Sequence, residues 1–227
     1  MRVSKPWQTP RQTAPLLYFQ SLKYAGFRYY DFLDLGRGRL ALIVGDIAGK
    51  GIAAALLMAN LQANLRSQVV GASDQPEKFL ASVNHLLFEN TVASAYATLF
   101  FADYDSTTGR LLHANCGHVP GLIMRANGTI ELLDSTSTVL GLFEDWDCCL
   151  SSELEAGDLL ALYTDGITEC SNECGEEFGP NRLLAALRHR SALPAHEVAA
   201  AVIEEVLEFC GGQQFDDLTL IVGRREN

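Results

Sequence analysis

The sequence lacks any apolar run long enough to cross a membrane. A helical span needs about 20 consecutive apolar residues, and none of the 227 residues belongs to such a run. The first fifteen residues are basic but contain no apolar stretch of the kind found in a signal peptide. These two absences predict a cytoplasmic protein without a membrane partner.

Basic residues are also scarce. The chain has 17 Lys and Arg against 28 Asp and Glu, which gives a formal net charge of −11. No basic stripe is present, and this argues against a nucleic-acid partner. With 48% hydrophobic residues the chain has enough apolar material for a folded core.

Cysteine pairs at zinc-binding spacing are missing. Cys170 and Cys174 are four residues apart and Cys148 and Cys149 are adjacent, but neither pair has a partner pair. We therefore expect no structural zinc site. In a cytoplasmic protein the six cysteines are expected to be reduced thiols that behave as small buried hydrophobic residues.

The pattern along the chain predicts one domain. Residues 1–15 contain three prolines and are expected to form an irregular N-terminal arm, and residues 16–227 a single domain. Apolar runs and turn residues predict two early helices, many antiparallel strands and two late helices. The strands are expected at Leu16–Tyr24, Tyr29–Leu35, Arg39–Val44, Ala95–Tyr104, Arg110–Asn115, Gly121–Arg125, Thr129–Leu133, Trp146–Leu154, Leu159–Thr164 and Leu218–Arg224, and the helices at Ile52–Leu65, from Pro76 onward, at Asn181–Arg188 and at Pro194–Cys210. This order is typical of an α+β sandwich.

Aspartates stand at the ends of three apolar strands. They are Asp46 in GDIAGKG, Asp165 in YTDG and Asp216 in FDDLT. Each one alone is explained as a turn former or helix cap. If the three converge, their oxygens suit Mg²⁺ or Mn²⁺. The glycines after Asp46 and the helix start beyond Ala48 favour close approach of a bound anion.

Six sequence blocks occur together in order. They are VGDIAGKG at 44–51, AALLMANLQ at 54–62, NCGH at 115–118, LYTDGITE at 162–169, GEEFG at 175–179 and DDLTLIV at 216–222. In order and spacing they resemble the stage II sporulation E-type phosphatases, the regulator-of-sigma branch of the metal-dependent PPM serine/threonine protein phosphatases. The resemblance implies a PPM-type α-β-β-α sandwich, with two antiparallel sheets flanked by helices. It also implies a hydrolase that removes phosphate from phosphoserine or phosphothreonine.

The resemblance assigns roles to individual residues. Asp46 matches the aspartate that bridges two Mn²⁺ or Mg²⁺ ions, and Ile47 would offer its backbone carbonyl. Asp165 and Asp216 match the other ligands of the first ion, so that Asp46, Asp165 and Asp216 form the implied catalytic set. A water held between the ions would attack phosphorus. The implied substrate is a phosphorylated partner-switching protein such as an anti-sigma-factor antagonist, and relatives suggest a homodimer.

One departure from the family pattern concerns the second ion. Arg28 stands where an acidic ligand is expected, before Tyr29, Tyr30 and Asp31. Asp31 matches the last aspartate of that motif, but three residues along a strand it faces the opposite side. Two functions therefore stay open: an active phosphatase, or a metal-poor pseudophosphatase that binds the same partner without turnover.

Three other residues offer weaker alternatives. His118 in NCGH is either an acid or a structural residue beside a turn. Lys50 is a candidate phosphate contact, although no complete nucleotide P-loop motif is present. Cys116 is a candidate thiol nucleophile, but no phosphate-binding arginine follows at the required spacing, and burial explains it better.

Overall fold

The chain forms eleven strands and five helices in the part that the structure describes. The computed structural model describes residues 2–3, 17–24, 29–69, 75–91, 95–144, 150–211 and 218–225. The strands are β1 (Arg2–Val3), β2 (Leu17–Tyr24), β3 (Tyr29–Gly36), β4 (Arg39–Ile47), β5 (Ala97–Asp105), β6 (Arg110–Cys116), β7 (Gly121–Met124), β8 (Ile130–Leu133), β9 (Leu150–Glu153), β10 (Leu159–Tyr163) and β11 (Leu218–Arg225). The helices are α1 (Ile52–Gln68), α2 (Pro76–Glu89), α3 (Asp165–Thr168), α4 (Gly179–His189) and α5 (Ala195–Phe209).

The chain divides into two compact units. The first unit consists of Met1–Gly26, Gly121–Leu133 and Leu154–Asn227, and the second of Phe27–Pro120 and Asp134–Glu153. The first holds a six-stranded antiparallel sheet in the order β1-β2-β11-β10-β7-β8, with α3, α4 and α5. The second holds a five-stranded antiparallel sheet in the order β3-β4-β5-β6-β9, with α1 and α2. The predicted α+β class with two antiparallel sheets and flanking helices is confirmed.

The predicted domain boundaries are not tested by this arrangement. Within the expected N-terminal arm the structure describes Arg2–Val3, which pairs antiparallel with β2. The single domain over residues 16–227 stays a prediction. None of the described helices combines the length and the hydrophobicity that a membrane span requires.

Side chains of β4 alternate between two faces of the sheet in the second unit. Ala41, Ile43 and Ile47 belong to a core cluster with residues of α1 and α2. Because successive strand residues point to opposite faces, Val44 and Asp46 lie on the face away from that cluster. The core cluster comprises Tyr29, Ala41, Ile43, Ile47, Leu61, Leu65, Val69, Phe79, Leu80, Val83, Leu87, Ala97, Leu99, Phe101, Ala114, Cys116 and Leu140.

An ion pair ties the C-terminal end of α1 to β3. Arg66 donates from Nε and Nη2 to the two carboxylate oxygens of Asp31, at 2.6 and 2.9 Å. Tyr29 donates its hydroxyl to the same carboxylate at 2.7 Å, and the backbone N–H of Phe32 donates at 3.0 Å. Burial, together with the neighbouring Asp31 carboxylate, raises the pKa of the Tyr29 hydroxyl above its usual value. The buried Asp31 is therefore neutralised from α1 and faces the helices.

A disulfide links two helical segments of the first unit. Cys170, shortly after α3, is bonded to Cys210 at the end of α5, and their Cα atoms are 6.2 Å apart. That separation is ordinary for a disulfide. Cys174 is exposed, whereas Cys116 is buried in the core of the second unit. The expectation of reduced, buried cysteines is thus wrong for Cys170 and Cys210, which are bonded, and for Cys174, which is exposed. It holds for Cys116, while Cys148 and Cys149 lie outside the described residues.

Replacing Asp31 with asparagine should destabilise the second unit. The variant Asp31→Asn keeps the size of the side chain but leaves Arg66 without its charge partner. Breaking a buried pair costs about 3–5 kcal/mol. Since the Arg66 side chain is 55% exposed and can recover solvation, we expect about 2 kcal/mol, measured as the free energy of unfolding in urea.

The matched control is Asp34→Asn on the same strand. Asp34 is exposed, and its hydrogen bond within the described part of the chain is a local one from the Gly36 N–H at 2.8 Å. The Asp34→Asn substitution should change the free energy of unfolding much less than Asp31→Asn does. Equal effects of the two substitutions would contradict the anchoring role of Asp31.

Candidate functional site

Asp46 lies at the end of β4, on the face opposite the helix-packed core. It is half-buried, and its Oδ1 accepts the backbone N–H of Ile47 at 2.9 Å. Thr98 of β5 is its cross-strand partner. A Cβ at Gly45 would lie 3.0 Å from Leu99 Cδ1 and 3.1 Å from the Thr98 carbonyl oxygen. The glycine before Asp46 thus allows β4 and β5 to pack closely beside the carboxylate.

The turn after Asp46 depends on glycine for a different reason. Gly49 and Gly51 have φ values of +104° and +83°, and a Cβ at either would meet no atom within 4 Å. The turn therefore needs their left-handed backbone conformation rather than space. Ala48 donates its N–H to the Tyr96 carbonyl at 3.0 Å, and α1 then begins at Ile52. Lys50 in this turn is exposed.

Asp165 is the first residue of a short helix in the first unit. The sequence alone allows Asp165 as a turn former or a helix cap; in the structure Asp165 begins α3, and its carbonyl accepts the Glu169 N–H at 2.8 Å. The preceding residue, Thr164, is fully buried and exchanges hydrogen bonds with Thr219 of β11. Pairing of β10 with β11 therefore fixes the position of Asp165, which is half-buried.

The structure does not test the complete set of predicted ligands. Asp46 and Ile47 belong to the second unit and Asp165 to the first, while Asp216 and Arg28 lie outside the described residues. Over the described ranges, no three His, Cys, Asp or Glu side chains are grouped so as to hold a metal ion. The donor types fit Mg²⁺ or Mn²⁺, because the two described carboxylates and the Ile47 carbonyl are hard oxygen ligands. The ligand set stays a prediction.

His118 lies beside Thr98. Its Nδ1 is 3.1 Å from the Thr98 hydroxyl oxygen, and its backbone N–H donates to Asn115 Oδ1 at 2.8 Å. Only 9% of the residue is exposed. Sequence patterns do not single out Thr98, since a threonine in a strand is unremarkable. Its place opposite Asp46 emerges only from the pairing of β4 with β5.

Comparison with known proteins identifies the family. The family model for stage II sporulation protein E (SpoIIE) matches residues 36–226. This chain belongs to the SpoIIE family. The family predicted from the sequence blocks is thereby confirmed.

A curated relative and a solved structure are similar to this chain over most of its length. The phosphoserine phosphatase RsbU of Bacillus subtilis (strain 168) is 30% identical over 200 residues, which cover 87% of this chain and 59% of RsbU. The RsbU and RsbW domains of Rv1364c from Mycobacterium tuberculosis match with a TM-score of 0.80 and 25% identity, covering 94% of this chain and 61% of that one. The chain thus spans less than two thirds of these relatives' length.

Two further solved structures are similar in fold. The PP2C phosphatase domain of SpoIIE from Bacillus subtilis, crystallised with a fragment of its regulatory domain, matches with a TM-score of 0.79 and 22% identity, covering 94% of this chain and 64% of that one. RsbX in complex with magnesium matches with a TM-score of 0.70 and 14% identity, covering 98% of both chains. These likenesses confirm the PP2C-type fold.

Manganese should raise the melting temperature of the wild-type protein. An ion that binds only the native state raises the free energy of unfolding by about 2.7 kcal/mol when its free concentration is 100 times its dissociation constant. For a chain of this size that corresponds to a shift of about 5–10 °C. Asp46→Asn and Asp165→Asn should each remove most of the shift, as measured by differential scanning fluorimetry with and without millimolar Mn²⁺.

Asp134→Asn provides the control, because Asp134 is an exposed carboxylate outside the predicted ligand set. It should keep the full shift. A wild-type melting curve that does not respond to Mn²⁺ would count against a preformed site.

Proposed function

We propose that this chain is the catalytic domain of a metal-dependent protein phosphatase. It hydrolyses phosphoserine or phosphothreonine on a cytoplasmic partner-switching protein, such as an anti-sigma-factor antagonist. The observation that carries the proposal is the placement of Asp46, which ends a buried strand on the face away from the helix-packed core. One oxygen of this carboxylate accepts the Ile47 N–H, and carboxylate oxygens are the hard ligands that Mg²⁺ and Mn²⁺ prefer.

The chain's own residues supply binding and orientation. Asp46, Asp165 and Asp216 would hold the ions through carboxylate oxygens, and Ile47 through its backbone carbonyl. When bound, Mn²⁺ or Mg²⁺ lowers the pKa of a coordinated water and neutralises phosphate oxygens. The hydrogen bond from the Ile47 N–H fixes one oxygen of Asp46. Pairing of β10 with β11 holds the backbone that presents Asp165.

The names of two relatives support the proposed substrate class. RsbU and RsbP of Bacillus subtilis are both named phosphoserine phosphatases. The net charge of −11 opposes the long-range approach of a negatively charged phosphate group. Cations at the site would provide the local attraction that binding requires. A homodimer is part of the proposal, and light scattering at high micromolar concentration tests it.

Activity assays test the proposed function directly. Wild-type protein with Mn²⁺ should hydrolyse p-nitrophenyl phosphate and phosphoserine or phosphothreonine peptides, and EDTA should abolish the reaction. Asp46→Asn should lower kcat/KM at least about 100-fold, because metal-ion stabilisation is worth several kcal/mol and each 1.36 kcal/mol is tenfold. Asp134→Asn should leave kcat/KM unchanged. No Mn²⁺-dependent turnover on any of these substrates would rule the proposal out.

The second candidate function is a pseudophosphatase that binds the phosphorylated partner without turnover. Its support is Arg28, which replaces the acid expected for the second ion. A guanidinium about 4–6 Å from a cation at an effective dielectric of about 20 is repelled by roughly 3–4 kcal/mol for each unit of charge on the cation. The same group can instead contact phosphate oxygens and replace part of the missing ion's role.

The substitution Arg28→Asp distinguishes repulsion of the second ion from contact with phosphate. If Arg28 repels the second ion, the substitution should raise Mn²⁺-dependent turnover at least about tenfold, since each 1.36 kcal/mol corresponds to a factor of ten. If Arg28 binds phosphate, the same change should raise KM or lower turnover. Arg188→Asp at the exposed end of α4 is the control for charge reversal alone. Unaltered kinetics in Arg28→Asp would exclude both roles.

A further inference from the structure

The NCGH motif builds a rigid turn at the end of β6. Asn115 is fully buried, and its Oδ1 accepts the His118 N–H at 2.8 Å while its Nδ2 donates to the Val119 carbonyl at 3.4 Å. Its backbone N–H donates to the Thr136 hydroxyl at 2.9 Å, and its carbonyl accepts the Thr136 N–H at 2.9 Å. The side chain and backbone of one buried residue thus hold both sides of the turn.

Glycine is required at the third position of the motif. Gly117 has φ +67°, and a Cβ there would lie 2.7 Å from Val139 Cγ1. Any larger residue would be strained and would also clash. The motif therefore fixes the backbone from which the His118 ring projects.

The ring of His118 reaches a residue that neighbours Asp46. Its Nδ1 is 3.1 Å from the hydroxyl of Thr98, and Thr98 is paired directly with Asp46 across β4 and β5. Side chains of directly opposite residues share a face and have Cβ atoms about 4.5–5.5 Å apart. A threonine hydroxyl has one donor and two acceptor sites, so the bond to His118 orients the hydroxyl without using all of them.

We propose that His118 is a positioning residue that acts through the Thr98 hydroxyl on the Asp46 carboxylate. The inference rests on the proposed function, because it assumes that Asp46 holds a metal ion. Ligating carboxylates are themselves held by outer hydrogen bonds, and loss of such partners costs about 10–100-fold in metal affinity or activity. The buried NCGH turn, which the predicted ligand set leaves unexplained, acquires a role as the support of this contact.

The alternative is that His118 acts directly on the substrate as an acid. The two roles differ in their dependence on Thr98. A positioning residue that acts through Thr98 loses its effect when the hydroxyl is removed, whereas a direct proton donor does not.

The experiment compares four variants by two readouts. The variants are His118→Ala, His118→Asn, Thr98→Val and the double substitution T98V/H118A. The readouts are Mn²⁺ affinity by calorimetry and kcat and KM on p-nitrophenyl phosphate. His118→Asn retains an amide near the ring's Nδ1 position and should stay within about threefold of wild type, while His118→Ala and Thr98→Val should each lose about 10–100-fold in affinity or kcat. The double variant should be no worse than the poorer single variant, because both remove one contact.

Two further variants show whether a loss comes from the His118–Thr98 contact or from a general effect of the substitution. His85→Ala removes an exposed histidine on α2 and should behave as wild type. If His118→Ala does not fold, His118→Gln replaces it in the comparison. The glutamine amide lies near the Nε2 position of the ring instead of the Nδ1 position. The Mn²⁺ affinity or kcat of His118→Gln should therefore be at least about fivefold lower than that of His118→Asn.

Four outcomes would overturn the inference. They are a neutral Thr98→Val beside a damaging His118→Ala, additive losses in the double variant, equal values for His118→Asn and His118→Gln, and His118 variants that all behave as wild type. Wild-type protein that neither binds Mn²⁺ nor turns over would overturn the proposed function as well. Wild-type function with unaffected His118 variants would remove the positioning role alone.

Discussion

The alternation of side chains along β4 is the constraint on which the rest of the candidate site depends. Ile43 and Ile47 pack into the core with α1 and α2, and this places Asp46 on the other face. A slip of one residue would exchange the two faces, burying the carboxylate among the apolar side chains of the helix-packed core and removing Ile47 from that core. Pairing of the whole of β4 with β5 prevents that slip and brings Thr98 opposite Asp46. The register that builds the core therefore also builds the site.

The helix that follows Asp46 is connected to the same sheet at both ends. At its N-terminal end, the Gly49–Gly51 turn links it to β4, and at its C-terminal end Arg66 bonds Asp31 of β3. Between these connections Leu61 and Leu65 are fully buried, whereas Ile52 and Leu56 near the start are 81% and 67% exposed. Packing energy is thus concentrated in the second half of α1. The half next to Asp46 depends more on the geometry of the glycine turn.

Local patterns in the sequence predict what depends on local physics. Apolar periodicity and turn residues locate four helices and most strands to within a few residues, and the ordered blocks identify the family. The pairings that join distant residues are not predictable in this way. Arg66 is 35 residues from Asp31, and Cys210 is 40 residues from Cys170. Thr98 is a further example, because its significance lies in a cross-strand neighbour. The short helix α3 escapes prediction because Thr-Asp-Gly is equally typical of a turn.

The contacts of Asp31 indicate whether this residue could hold a second ion in place of the acid expected at position 28. Asp31, on β3, is the acidic residue nearest in sequence to Arg28, so it is the first candidate to replace the expected ligand. It pairs with Ile43, however, and therefore shares the core face rather than the face of Asp46. Its oxygens also accept bonds from Tyr29, Arg66 and the Phe32 N–H. Turning Asp31 toward a cation would break its ion pair with Arg66 and remove the acceptor of the buried Tyr29 hydroxyl. These contacts hold Asp31 on the core face of β3, so we do not expect it to take the ligand role of the acid that Arg28 replaces.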